Sequence, residues 1–131
     1  VLGLSLTACA WSALAAESVR VELNKLEPQD NACRAYLVFE NQTAQSFSGL
    51  TLDLVMFDQE GVISKRLAVN AAPLPADKTS VKLFDIEDVA CTDIGRILIN
   101  DALDCQNTSG TVQDCVTLIK PSSRGEVAFN K

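Results

Sequence analysis

Five cysteines and no histidine set the limits of the chemistry open to this chain. Without imidazole there is no histidine general base, and metal sites lose their commonest nitrogen ligand. Cys33, Cys91, Cys105 and Cys115 contain no CxxC spacing, so neither a zinc site nor a dithiol redox motif can be read from them. One Met and no His leave too few ligands for copper carriage. Structural bridging is the chemistry that fits. In an exported protein four cysteines imply two disulfides, with three possible pairings. Between Cys91 and Cys105 the run Gly95-Arg96-Ile97-Leu98-Ile99-Asn100 reads as a strand. At about 3.3 Å per residue it carries the chain about 20 Å, against a Cα separation of about 6 Å in a disulfide, which disfavours Cys91–Cys105. The turn-forming run Gln106-Asn107-Thr108-Ser109-Gly110 can fold Cys105 back toward Cys115. The favoured pairs are therefore Cys33–Cys91 and Cys105–Cys115.

Other reactive residue types form no motif. Carboxylates cluster in Asp85-Ile86-Glu87-Asp88, with Asp93 close behind, and in Asp101-Ala102-Leu103-Asp104. Neither alternates oxygen ligands around a glycine as a calcium loop does, so a solvated acidic end of the fold is expected and no metal site. A glycosidase pair would also need a cleft and aromatic sugar platforms, and the chain has one Tyr and five Phe. Ser64-Lys65 lacks the SxxK spacing, and Ser122-Ser123-Arg124 follows Pro121 in what reads as a turn. Asn41-Gln42-Thr43 and Asn107-Thr108-Ser109 match the glycosylation sequon, but turns have the same composition. Arg20, Arg34, Lys65, Arg66, Lys82 and Lys120 are scattered, and the net charge is −6. Nucleic acid and anionic lipid are thus unfavoured partners. No catalytic residue and no cofactor is assigned, and the chain reads as a non-enzyme.

The location of these residues follows from the first sixteen positions, Val1 to Ala16, which carry no charge. Val1 to Ala10 read as the apolar core of an export signal, and Ala13-Leu14-Ala15 supplies the small residues a signal peptidase accepts. Residues 1–16 are therefore expected to be a signal peptide, truncated at its N-terminus because the start methionine and basic region are not in the sequence. Residues 17–131 form one domain. An alternative lies in Leu6-Thr7-Ala8-Cys9, which fits a lipobox and would make Cys9 the lipid-bearing N-terminus of an anchored lipoprotein. No later stretch reaches the roughly 20 apolar residues of a membrane span. The expected location is the periplasm or outside the cell.

The elements that must position the cysteines are short strands. Val19, Val21 and Leu23 alternate with Arg20, Glu22 and Asn24, and Leu26 to Asn31 reads as a break. Ala35, Leu37 and Phe39 oppose Tyr36, Val38 and Glu40. Leu50, Leu52, Leu54 and Met56 form the longest clean period of two, closed by the hairpin signal Asp58-Gln59-Glu60-Gly61. Val62 to Val69 returns, and Pro73-Leu74-Pro75-Ala76-Asp77 makes a rigid corner. Ser80 to Ile86 follows, with Val81 and Leu83 on one face and a short helix or turn around Ile86 to Cys91. Ile94 to Asn100, Val116 to Ile119 and Glu126 to Phe129 complete the set. About seven to eight turn-bounded strands predict an all-β, immunoglobulin-like antiparallel sandwich.

Four of these segments together resemble the FxLYD-type domains of exported bacterial proteins. They are Phe39-Glu40-Asn41-Gln42-Thr43, Phe47-Ser48-Gly49-Leu50, Leu54-Val55-Met56-Phe57-Asp58-Gln59-Glu60-Gly61 and Leu74-Pro75-Ala76-Asp77-Lys78-Thr79. The resemblance covers residues 35–85 and implies a small immunoglobulin-like sandwich. It offers no catalytic residue to carry over. The C-terminal part, with three of the four cysteines, departs from that pattern and resembles uncharacterised exported proteins of alphaproteobacterial type.

The expected function is a non-catalytic exported domain, a protein-interaction or structural module of the cell envelope, whose partner is another envelope protein taken at an edge strand or loop face. The alternative is a small acidic periplasmic inhibitor of a basic hydrolase such as lysozyme, because opposite charge speeds encounter. A hydrolase of unknown type ranks third.

Overall fold

The structure is a computed structural model that describes residues 2–7 and 17–131. Signal cleavage near Ala15 or Ala16 and lipid attachment at Cys9 both lie outside the described residues. Nine strands occur among the described residues: β1 (Val19–Gln29), β2 (Ala32–Asn41), β3 (Phe47–Phe57), β4 (Ile63–Asn70), β5 (Lys78–Glu87), β6 (Arg96–Asn107), β7 (Gly110–Thr111), β8 (Ile119–Ser123) and β9 (Ala128–Asn130). One sheet has the order β5-β2-β1-β8, the other β4-β3-β6-β7 with β9 also beside β6. This is an all-β sandwich, and no described helix is long and apolar enough to cross a membrane.

Period-two alternation builds both inner faces. Cys33, Ala35, Leu37 and Phe39 of β2 are buried, while Tyr36 and Val38 are half-buried and Glu40 is exposed. Leu50, Leu52, Leu54 and Met56 supply the opposing layer from β3, joined by Ile97 and Ile99 of β6. Each such side chain contributes about 1.5–3 kcal/mol on leaving water, which makes this contiguous cluster the main source of stability.

Three expectations needed correction. First, Leu26 to Asn31 does not break β1, which runs through Pro28 to Gln29 with a bulge between Leu23 and Lys25. β8 covers β1 only from Val19 to Leu23. Beyond that the strand has an open side toward which Pro28 can turn its hydrogen-less nitrogen without losing a ladder bond. Second, Val116 to Ile119 is not a strand. Cys115–Leu118 forms a 3-10 turn, entered through Asp114 at φ 52°, and the strand lies at Ile119–Ser123. Pro121 and Ser122, read as a turn, are in that strand, which tolerates proline because it closes its sheet. Third, the sandwich is not purely antiparallel: β8 runs parallel to β1, and β9 parallel to β6. The expected helix or turn after Ile86 is a 3-10 turn at Cys91–Asp93, with Ile86 itself buried in β5.

Candidate functional site: a free sheet edge with an apolar face

Cys33 is joined to Cys91 with a Cα separation of 4.9 Å, and Cys105 to Cys115 with 6.3 Å. The first fastens the β5–β6 connection to the start of β2. The second draws the 3-10 turn before β8 against β6, between the short stretches of β6 covered by β9 and β7.

The remaining sequence candidates are dispersed. Asp85 is taken up by Arg34, Glu87 gives its backbone carbonyl to the Lys65 ammonium at 2.9 Å, and Asp88 turns the chain at φ 59°. Among the described residues, no group of three or more Cys, Asp or Glu is arranged to hold a metal ion. Ser64 donates to the Met56 carbonyl, away from Lys65. The Ser123 hydroxyl is held by the Val127 carbonyl at 2.6 Å. Carboxylates of the first cluster instead lie at one end of the sandwich, while Asp101 stands opposite Asp53 in the middle of β3 and Asp104 lies by Gly49. Asp88 donates its N–H to the Asn31 carbonyl, and Gln59 donates to the Thr92 and Ile94 carbonyls. The groove of about 470 Å3 there is lined by the β1–β2 turn with Asp30 and the β5–β6 connection with Asp88, and the Gln59 bonds tie the hairpin carrying Asp58 and Glu60 to that connection.

Asn41 is the junction of the turn and corner motifs. Buried at the end of β2, its amide donates to the carbonyls of Gln45, Leu74 and Pro75, while its oxygen accepts from the Thr43 N–H and hydroxyl. Phe47 and Leu74 exchange two backbone hydrogen bonds beside it. The corner is thereby pinned, and Asp77 at φ 52° launches β5 from it. With its amide so occupied, the sequon at Asn41 is a structural turn.

Asp53 escaped the sequence reading. Alternation puts it on the outer side of β3, yet it is buried under Arg66, which donates at 2.9 and 2.8 Å to its two oxygens. Asn100, next to an irregularity in the β3–β6 ladder, donates to it as well at 2.9 Å. The Arg66 and Asn100 hydrogen bonds hold its pKa down at about 2. A carboxylate in the middle of an otherwise apolar strand was the only signal available in the sequence.

The site with the clearest capacity for recognition is β5. Among the described residues its only strand neighbour is β2, so the other side of this ten-residue strand has no ladder partner, although the Thr79 and Glu87 carbonyls accept from the Lys78 and Lys65 ammonium groups. In register, Tyr36 faces Leu83 and Val38 faces Val81 across the ladder. These four side chains share the outer face, where Val81 is 61 % and Leu83 55 % exposed. Polar pairs rim them. Arg34 donates two bonds to Asp85 at 2.8 and 3.2 Å, holding that carboxyl below the usual range. Lys25 meets Glu27 at 2.9 Å and lies over the Tyr36 ring, whose hydroxyl donates to Glu27. β4, the edge of the other sheet, is polar along most of its outer face, with Arg66, Ala68 and Asn70 there and Arg66 committed to Asp53; its exposed apolar residue, Ile63, sits at the start of the strand beside the hairpin residue Val62. An apolar centre within a polar rim, beside free strand hydrogen bonds, is the anatomy of a protein-binding surface.

No protein-family model matches the chain. No curated protein matches it either. Among solved structures, IrmA from Escherichia coli is similar with a TM-score of 0.65, over 80 % of this chain and 91 % of that one, at 14 % sequence identity. At that identity the likeness is one of fold, and it places this chain beside IrmA in architecture alone.

Proposed function

We propose that this protein is an exported, non-catalytic interaction module of the bacterial envelope that takes another envelope protein at the outer edge of β5. The observation that carries the reading is the exposed pair Val81 and Leu83 on a strand that has, among the described residues, no neighbour on its far side. Two disulfides in a small domain support an oxidising location, the periplasm or beyond. The contact of Asn41 with the Leu74-Pro75 corner supports an FxLYD-like, immunoglobulin-type reading of residues 35–85. Substituting Val81→Glu together with Leu83→Glu tests it. These side chains are exposed, so the fold persists, while the size shift of the native complex in envelope extracts disappears. An unchanged complex would end the reading.

The inhibitor of a basic hydrolase is the second reading, favoured by the acidic end around the groove at Asp30 and Asp88. It requires inhibition of a cationic enzyme such as lysozyme that weakens as salt screens the charges. Undiminished lysozyme activity at low salt rejects it.

A further inference from the structure

The free edge of β5 carries two different rows of side chains. The outer row, Thr79, Val81, Leu83 and Asp85, has the apolar pair at its centre, with Asp85 already bound to Arg34. The inner row, in register with Leu37, Phe39 and Asn41, begins with Lys78, Ser80 and Lys82. Lys82 lines a groove of about 190 Å3 with Phe39, Val69, Ala71 and Phe84, at the open side of the sandwich between β5 and β4. The ion pairs among the described residues involve neither Lys78 nor Lys82. In a chain of net charge −6, these are two cations without a carboxylate among the described residues, four residues apart on one face of the edge, the Lys78 ammonium group donating to the Thr79 carbonyl at 3.2 Å. Inward lysines on an edge strand deter neutral and basic strands, because an incoming side chain must lie beside the ammonium group.

Resting on the interaction reading above, we propose that the occupant of β5 is an extended protein segment that alternates apolar with acidic residues and adds as an antiparallel strand. The pleat sets the code. A strand hydrogen-bonded to β5 puts every second residue on the outer face, beside Val81 and Leu83, and the intervening ones in the inner row, beside Lys82 and Lys78. Apolar side chains extend the Tyr36–Val38–Val81–Leu83 face, and carboxylates meet the two ammonium groups. Main-chain hydrogen bonds supply affinity, while the alternation supplies specificity. The antiparallel direction continues that of the β2–β5 pair and has the stronger ladder.

The test is a titration of the isotope-labelled folded protein, disulfides intact, with an end-capped octapeptide alternating valine and glutamate, followed by amide NMR. The expected result is saturable shifts confined to β5 and its β2 partner residues. A valine–lysine octapeptide binds at least about tenfold more weakly, and a valine–glutamate peptide methylated on alternate backbone nitrogens does not bind. Lys78→Glu together with Lys82→Glu reverses the charge preference, and Lys78→Gln together with Lys82→Gln abolishes it. Equal binding of the acidic and basic peptides, or β5 amides unmoved at saturating peptide, overturns the proposal. If those amides stay unmoved while the Val81→Glu, Leu83→Glu variant still loses its envelope complex, the interaction reading stands and only the strand code falls.

Discussion

The side-chain amide of Asn41 donates to the backbone carbonyl of Leu74 at 3.0 Å, a buried bond between residues 33 apart in sequence. The end of β2 is thereby tied to the corner from which β5 departs. With the Gln45 and Pro75 carbonyls and the Thr43 donors, the one residue satisfies a whole turn and corner. Asn41→Ala would orphan those groups together, and each buried, unsatisfied group costs about 1–3 kcal/mol. The expected outcome is a loss of about 3 kcal/mol or more in urea unfolding. Asn41→Asp keeps the acceptor but turns a buried carboxylate oxygen toward the three carbonyls, so it should destabilise at least as much. A neutral Asn41→Ala would mean that water replaces every one of these bonds.

Acid sensitivity should centre on Asp53. Its folded pKa, about 2, is depressed below the value near 3.8 expected in the unfolded chain. A depressed carboxylate adds stability that is fully present above the unfolded pKa and is lost as pH falls through the folded value. The window is therefore pH 4 down to pH 2. Asp85 and Glu27, also lowered by their Arg34 and Lys25 partners, act in the same direction from more exposed positions. Thermal melts across this window should lose part of their pH slope in Asp53→Asn. An identical slope in both proteins would put the acid sensitivity elsewhere.

The two disulfides should differ in worth because they close loops of different length. Removing Cys33–Cys91, which spans 58 residues, should cost about 4 kcal/mol, and removing Cys105–Cys115, which spans 10, about 3 kcal/mol. Paired alanine variants in denaturant titration check the order. The reverse order would show that chain entropy in the unfolded state is not what decides it.

Gly95 approaches the β3–β4 hairpin too closely for a side chain: a Cβ there would lie 2.6 Å from the Asp58 carbonyl oxygen. Gly95 also donates its N–H to the Phe57 carbonyl at 2.8 Å, which prevents an easy retreat. Gly95→Ala should destabilise by about 1–3 kcal/mol, the usual range for overpacking. Gly125→Ala, where a Cβ meets nothing within 4 Å, is the matched control and should be near neutral. Equal melting temperatures for the two variants would contradict the close approach.

Period-two burial was legible wherever one face is covered, as in Leu37 and Phe39 or Leu50 to Met56, because alternation reports faces directly. The Asp58–Gly61 hairpin was legible too, since its turn needs the positive φ of Gly61, which the structure has at 81°. What failed depended on strand order. Pro28 and Pro121 read as breakers because only knowledge of which strands lie at an edge makes them acceptable in a strand. Asp53 looked solvent-facing because its cover comes from Arg66 on the next strand and Asn100 on β6. The alternation of Val81 and Leu83 was visible, but period two cannot say that the face they occupy is the uncovered one. That required β5 to be seen as the end of its sheet.

Site-directed photo-crosslinking from position 83, in protein exported to a Gram-negative periplasm, tests the central claim most directly. The same crosslinker at Ala68, exposed on the outer side of β4, provides the comparison. The account predicts a discrete adduct from position 83, absent from position 68 and lost when Val81 is changed to Glu. Adducts of equal yield from both positions, or none from position 83, would contradict it.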